Sequence, residues 1–229
     1  MDSQDDCIGA ALGLEEMGYG EDFCLALDFD PLFLARCMAG GFLVMSCLLF
    51  PEDHEEKIEP ETEKDKKFIL LLKHHLVRSC LFFPELHIKK SIKKYLPLYD
   101  LYFDKDFDRV FDKCLEIHGD GWLTEPLAKS IREIRKIPGM PVRPVSFALY
   151  RKDRLVAGEF GIVSGRVYTS YSGYYEEDNA GTVQMILSSR YLEKNNFSFW
   201  DLGMVLDYKR TLGSREISRG EFLELFLKA

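Results

Sequence analysis

The chain has 229 residues, 46% of them hydrophobic and 13% aromatic, which is enough to bury the core of one large or two small domains and excludes a disordered chain. No apolar run reaches the roughly 18–20 residues of a membrane-spanning helix; the longest covers 40–50. The net charge of −8 speaks against a nucleic-acid partner at first sight, but residues 1–30 hold nine acids and no Lys or Arg, so the remainder carries +1 and is free to form a local phosphate-binding patch.

The first 22 residues are Gly-rich, acidic and weakly periodic, and are expected to be loosely organised. A helix is predicted over Pro31–Ala39, stopped by Gly40-Gly41. Residues 51–67 (PEDHEEKIEPETEKDKK) read as a solvated, charged loop. Residues 73–94 carry Lys73, Arg78, Lys89, Lys90, Lys93 and Lys94 against one acid, Glu85, for a local charge of +5. Leu81-Phe82-Phe83 suggests a short strand ended by Pro84, and the four-residue spacing of Ile88, Ile92 and Leu96 predicts a helix with its lysines outward. Asp104 is a candidate cap for a helix with Phe107, Val110, Phe111, Cys114 and Leu115 on one face, and Thr124 for one with Leu127, Ile131 and Ile134.

From Pro144 the period becomes extended. Val145–Tyr150, Leu155–Val163 and Arg166–Ser172 predict three strands joined tightly as an antiparallel meander. A helix capped by Asn179 and ended by Asn195-Asn196 follows, then a strand over Phe197–Leu202 with Asp201 at its far end. Ser218-x-x-Glu221 is a capping box for a terminal helix. The order describes an α+β fold with a mainly antiparallel sheet.

Common catalytic motifs are absent: no GxSxG, GxxxxGK[ST], HExxH or GxGxxG occurs. His74-His75 would point to opposite faces of a strand and is a poor metal site, so neither a metal nor a cofactor is expected. His118 ends a helix, where dipole interaction alone accounts for it. The six cysteines form no CxxC pair, and the acidic start resembles neither a signal nor a transit peptide; free thiols and a cytoplasmic protein are expected.

Residues 155–182 (LVAGEFGIVSGRVYTSYSGYYEEDNAGT) and 200–223 (WDLGMVLDYKRTLGSREISRGEFL) resemble the leucyl/phenylalanyl-tRNA–protein transferases, whose bacterial members carry LVGGxYGxxxGxxFxGESMFSxxxNASK and then DCQxxxxHxxSLGAxEIPRxxF. Gly121-Trp122-Leu123-Thr124 resembles that family's TWIT, Phe83-Pro84-Glu85-Leu86-His87-Ile88 its WPxxxHIS, and residues 35–42 (ARCMAGGF) its AYxxGxF. The ordered combination covers about residues 23–227. The resemblance implies a GNAT-like (N-acyltransferase-like) C-terminal domain over 101–229 and a small α/β N-terminal domain over 1–100. It also implies transfer of Leu or Phe from charged tRNA to the α-amine of a protein's N-terminal residue, tagging it for degradation. The partners would be aminoacyl-tRNA and an acceptor N-terminus, with no membrane and with the enzyme a monomer.

On that resemblance, Asp201 corresponds to the Asp of DCQ and is the expected catalytic residue, orienting the acceptor ammonium or accepting its proton. Trp122, Phe160, Tyr174 and Leu212 would line a pocket for the aminoacyl side chain and terminal adenine, with Tyr171, Ser172 and Gly203 also at the substrate. Lys73, Arg78, Lys89, Lys90, Lys93 and Lys94 would contact tRNA phosphates. The chain departs from the pattern where Gly203 replaces the Gln of DCQ, Tyr171 the Glu of GESMF, Gly173 its Met, and Tyr208 the His of the last block. Three outcomes stay open: aminoacyl transfer with altered acceptor choice, a GNAT-type transfer from another acyl donor, or a non-catalytic descendant that binds tRNA or N-termini. The second lacks a [RQ]xxGx[GA] pyrophosphate-binding turn.

Overall fold

The computed structural model describes residues 6–49, 67–119 and 121–229, so all but Lys67 of the charged loop expected at 51–67 lies outside the described residues. The opening segment, expected to be loose, forms helix α1 (Cys7–Glu16), with the Asp6 carboxylate accepting from the Ile8 N–H at 3.1 Å. Its apolar residues make no strong stripe; it docks through buried Cys7 and Ala11 and through Glu15, which pairs with Arg219 at 2.7 Å. Helix α2 (Pro31–Ala39) forms as expected, with Asp30 accepting from the Leu32 and Phe33 N–H groups.

Strands β1 (Phe23–Ala26), β2 (Leu43–Leu49) and β3 (Lys67–Lys73) make an antiparallel sheet in the order β1-β3-β2. The larger sheet contains β4 (Val77–Leu81), β5 (Asp100–Phe103), β6 (Arg143–Arg151), β7 (Arg154–Ser164), β8 (Val167–Tyr175), β9 (Phe199–Asp201) and β10 (Arg215–Ser218), in the order β10-β4-β9-β8-β7-β6-β5. The meander β6-β7-β8 is antiparallel as expected, and β8 and β9 are the parallel pair of this mixed α+β sheet. Strand β4 lies between β9 and β10, so the large sheet draws an interior strand from the first hundred residues.

Helices α3 (Phe107–His118) and α4 (Glu125–Lys136) cover one face, where Phe111, Ile131 and Phe160 share a core. Thr124 stands at the start of α4 as expected but makes no side-chain capping bond, and α3 starts from Asp106 rather than Asp104. Asp104 instead binds Arg135 and Arg143, and the Thr124 hydroxyl pairs with the Ser46 hydroxyl at 2.6 Å. Helix α5 (Ala180–Lys194) covers the opposite face, where Val183 and Ile186 pack with Tyr168 and Trp200. Helix α6 (Asp207–Leu212) follows β9, and α7 (Arg219–Lys228) is capped by Ser218, whose Oγ accepts from the Glu221 N–H at 3.2 Å.

The lysine-rich segment is not a helix. Leu81 ends β4, residues 83–85 make a 3₁₀ turn, and the carbonyls of Lys89, Lys90 and Ile92 accept from the N–H groups three residues on. Lys89/Lys93 and Lys90/Lys94 would be like-charged i,i+4 pairs on a helix, and Pro97 would interrupt its ladder.

Two irregularities position the site. The β7–β8 register steps from Phe160↔Ser172 to Gly161↔Ser170, leaving Tyr171 as the extra residue of a β-bulge. Strands β8 and β9 pair only over 167–169 and 199–201; beyond them the two strands part.

Candidate functional site

The parting of β8 from β9 opens a cavity of about 640 Å³. Its walls are the second half of β8, the start of α5, Leu202, and Tyr208 and Lys209 of α6. Glu159, from β7, lines it as a carboxylate only 6% exposed. Tyr168 and Ser170 donate their hydroxyl hydrogens to Glu159 Oε1 at 2.9 and 2.7 Å. The Ser170 oxygen accepts from the Trp200 indole N–H at 2.7 Å. Since an indole nitrogen only donates, the direction of this relay is set toward the carboxylate. Burial pushes the Glu159 pKa above the usual carboxylate range, opposed by Ser170, Tyr168, Lys209 and Gln184. Across the cavity Lys209, also 6% exposed, donates from Nζ to the Leu202 and Met204 carbonyl oxygens at 2.5 and 2.9 Å. Burial lowers its pKa, with Asp201 and Glu159 acting in the opposite sense.

Of the residues expected at the substrate, Tyr171, Ser172 and Tyr174 border the cavity. Trp122, Phe160, Gly203 and Leu212 do not. Phe160 points to the α3 face, stacked with Trp122 at 6.4 Å and edge-on to Phe111 at 4.7 Å, and Leu212 lies in the core beneath α5. The bulge at Tyr171 sends that side chain to the Trp122 side, where its hydroxyl accepts from the Val44 N–H at 3.1 Å; burial raises its pKa.

Asp201 is fully buried and is not among the groups lining the cavity. Its Oδ1 accepts from Arg78 Nε at 3.0 Å and from the Gly203 N–H at 2.9 Å, and its Oδ2 from Arg78 Nη2 at 2.9 Å and the Thr169 hydroxyl at 3.0 Å. Gly203 closes this turn at φ +74°, a conformation that favours glycine. The carboxylate therefore has no face toward a substrate; it fixes the 201–204 turn whose carbonyls hold Lys209.

Arg78, expected at tRNA phosphate, lies in the interior. It is buried, forked onto Asp201 and stacked on Phe222 at 4.4 Å, and reaching a phosphate would strip Asp201 of its partner. Lys73 sits in the smaller sheet over the Phe23 ring at 5.0 Å. Lys89, Lys90, Lys93 and Lys94 are exposed together. Their segment is tied to the cavity wall by the His87 N–H, which donates to the Leu212 carbonyl at the end of α6. His74, against Phe42, is held down to about 3 by burial, helped by Arg219, Arg78 and His75; burial and Arg78 lower His75 to about 4.

Sequence reasoning missed Glu159 and Lys209. Glu159 carried a legible signal, as the one charge within LVAGEFGIV. Lys209 carried none, because a lysine on a short polar helix reads as solvated.

A mixed sheet opened at its parallel strand pair, with a cavity walled by two carboxylates, an amine and several tyrosines, defines an α+β fold with a cleft where β8 and β9 part. The model of the leucyl/phenylalanyl-tRNA protein transferase family matches residues 80–227, and the chain belongs to that family. It is similar to the leucyl/phenylalanyl-tRNA–protein transferase of Flavobacterium psychrophilum, 30% identical over 111 residues that cover 48% of this chain and 50% of that one. A Pseudomonas aeruginosa protein of the same name is 31% identical over 108 residues, 47% of this chain and 46% of that one. The chain spans about half the length of these curated relatives. Among solved structures, the C-terminal domain of a protein described as a lysylphosphatidylglycerol synthetase from Agrobacterium fabrum aligns with a TM-score of 0.38 and 13% identity over 84% of this chain and 57% of that one. No helix among the described residues is long and apolar enough to cross a membrane.

Proposed function

We propose that this protein is an aminoacyl-tRNA-dependent aminoacyltransferase that moves an amino acid, Leu or Phe by analogy with its relatives' names, onto the N-terminal α-amine of an acceptor protein. The observation that carries the reading is the cavity between β8 and β9, within the segment that matches the family. Its volume of about 640 Å³ suits the charged end of a nucleic acid together with a chain terminus. The exposed lysines at 89, 90, 93 and 94, one helix from its wall, suit the phosphates that follow. The parallel β8–β9 pair, joined through α5, supports a GNAT-like reading of the large sheet.

The aminoacyl ester is already activated, so the protein has to bind two ends, exclude water and hold the amine near the ester carbonyl. Asp201 acts in this scheme as a positioning residue for the 201–204 turn. The second reading, binding without transfer, is favoured by the closure of the Asp201 carboxylate away from the cavity. Incubation with tRNA charged with labelled Leu or Phe, and with peptides bearing each possible first residue, distinguishes the two. Label in peptide is expected; retarded tRNA on a gel with no label in any peptide overturns transfer in favour of binding alone.

A further inference from the structure

The cavity holds a carboxylate that its surroundings keep as an acceptor. The Trp200 N–H and Ser170 hydroxyl form a one-way relay onto Glu159 Oε1, the Tyr168 hydroxyl adds a second donor on the same oxygen, Gln184 also favours the charged form, and these groups do not fill the roughly four acceptor sites of a carboxylate. Lys209 makes no hydrogen bond to it: two of its three Nζ hydrogens go to the Leu202 and Met204 carbonyls, and its charge acts on Glu159 through space. Asp178 and the tyrosines at 174, 175 and 208 complete a rim of negative charge and aromatic rings, which suits a cation. We propose that Glu159 anchors the protonated α-amine of the acceptor chain and takes its proton, a role that rests on the reading of this cavity as the transfer site.

The step balances simply. Glu159 takes one proton from the ammonium, and the freed nitrogen attacks the ester carbonyl carbon. The C–N bond forms and the C–O bond to ribose breaks. The ribose oxygen leaves with the second amine proton, and Glu159 returns its proton to water. A buried carboxylate with a raised pKa is a suitable proton acceptor for an amine.

The charged and titratable groups facing Glu159 are Tyr168 on β8, Lys209 and Tyr208 on α6, and Cys114 on α3. Burial raises Cys114 to about 12 and pushes both tyrosines upward, so none of these three titrates in the acid range. Glu159, whose pKa burial raises, then loses its charge as pH falls, and the cation's affinity should fall with it; Asp178 on the rim is the other carboxylate of the cavity.

The test uses twenty pentapeptides differing only in the first residue, each with a free or an acetylated N-terminus, titrated calorimetrically into the whole chain. At least one free peptide should bind. Its acetylated form, and the free form with Glu159→Gln, should each bind about tenfold more weakly or worse. Free-peptide affinity for the unmodified protein should decline from pH 7 to pH 5, which needs no variant and so covers a Glu159→Gln chain that fails to fold. Equal binding by Glu159→Gln, pH-independent affinity, or no free peptide bound each overturns the role. Glu159-dependent peptide binding without any transfer overturns the proposed function and with it the proton-accepting step, leaving the anchoring of the amine, whereas transfer unaltered by Glu159→Gln overturns the role of Glu159 alone.

Discussion

Asp201 shows what sequence can and cannot say about one side chain. Its place at a strand end and its match to the Asp of the related motif marked it as chemically interesting, and it is indeed next to the cavity wall through Leu202. Its partner Arg78 lies 123 residues earlier, in a basic run that reads as a nucleic-acid contact. Only the pairing of β4 with β9, Cys80 opposite Asp201, brings the two together. The consequence is thermodynamic. Removing one member of a buried, forked ion pair strands the other and costs about 3–5 kcal/mol. At roughly 2–4 °C per kcal/mol for a chain of this size, Asp201→Asn should lower the melting temperature by about 10 °C, and Arg78→Met by a similar amount. The double variant Arg78→Met/Asp201→Leu should recover much of the loss, because no charge is left unpaired. Thermal unfolding of the three variants checks this; a double variant that falls by the sum of the two would show that the pair is not the cause.

The elements divide by what their periodicity encodes. The meander β6-β7-β8, α5 and the Ser218 cap were legible because alternation, turn residues and a capping box are local signals. Helix α1 was not, since it is held by buried Cys7 and Ala11 and by the Glu15–Arg219 pair rather than by an apolar stripe. The lysine segment carried a helical spacing that like charges and Pro97 override. The bulge was invisible, yet it decides which of Phe160, Tyr171 and Tyr174 meet the cavity. Its opposite partner is Gly161, where a β-carbon would lie 2.3 Å from the Thr169 carbonyl oxygen and 2.6 Å from the Tyr168 ring. Gly161→Ala should therefore force β7 from β8 and cost about 2 kcal/mol or more. Gly13 of α1 offers the opposite case, with nothing within 4 Å of an added β-carbon. Gly13→Ala should stabilise by about 0.5–1 kcal/mol through helix propensity. Denaturant midpoints measure both, and a Gly161→Ala chain as stable as the parent would mean the strands tolerate a wider bulge.

For the molecule as a whole, charge distribution matters more than its sum. The net charge of −8 opposes a polyanion at long range, so the proposed binding to tRNA would rest on a local patch. With Arg78 buried and Lys73 on the other sheet, the sequence's six-residue patch contracts to Lys89, Lys90, Lys93 and Lys94. Each phosphate neutralised releases condensed counterions, so the logarithm of the binding constant falls linearly with the logarithm of salt concentration, by about 0.7–0.9 per contact. Charged tRNA should bind tightly only at low salt. Replacing all four lysines by Ala should flatten that slope by about 3 while leaving the melting temperature unchanged, since each is exposed and none takes part in the Arg78–Asp201 pair. The same variant should bind the free pentapeptides as the parent does, because the cavity walls contain none of the four. Retardation assays from 50 to 200 mM salt supply the slopes, and a slope unmoved by the fourfold replacement would place the nucleic acid on another face of the protein.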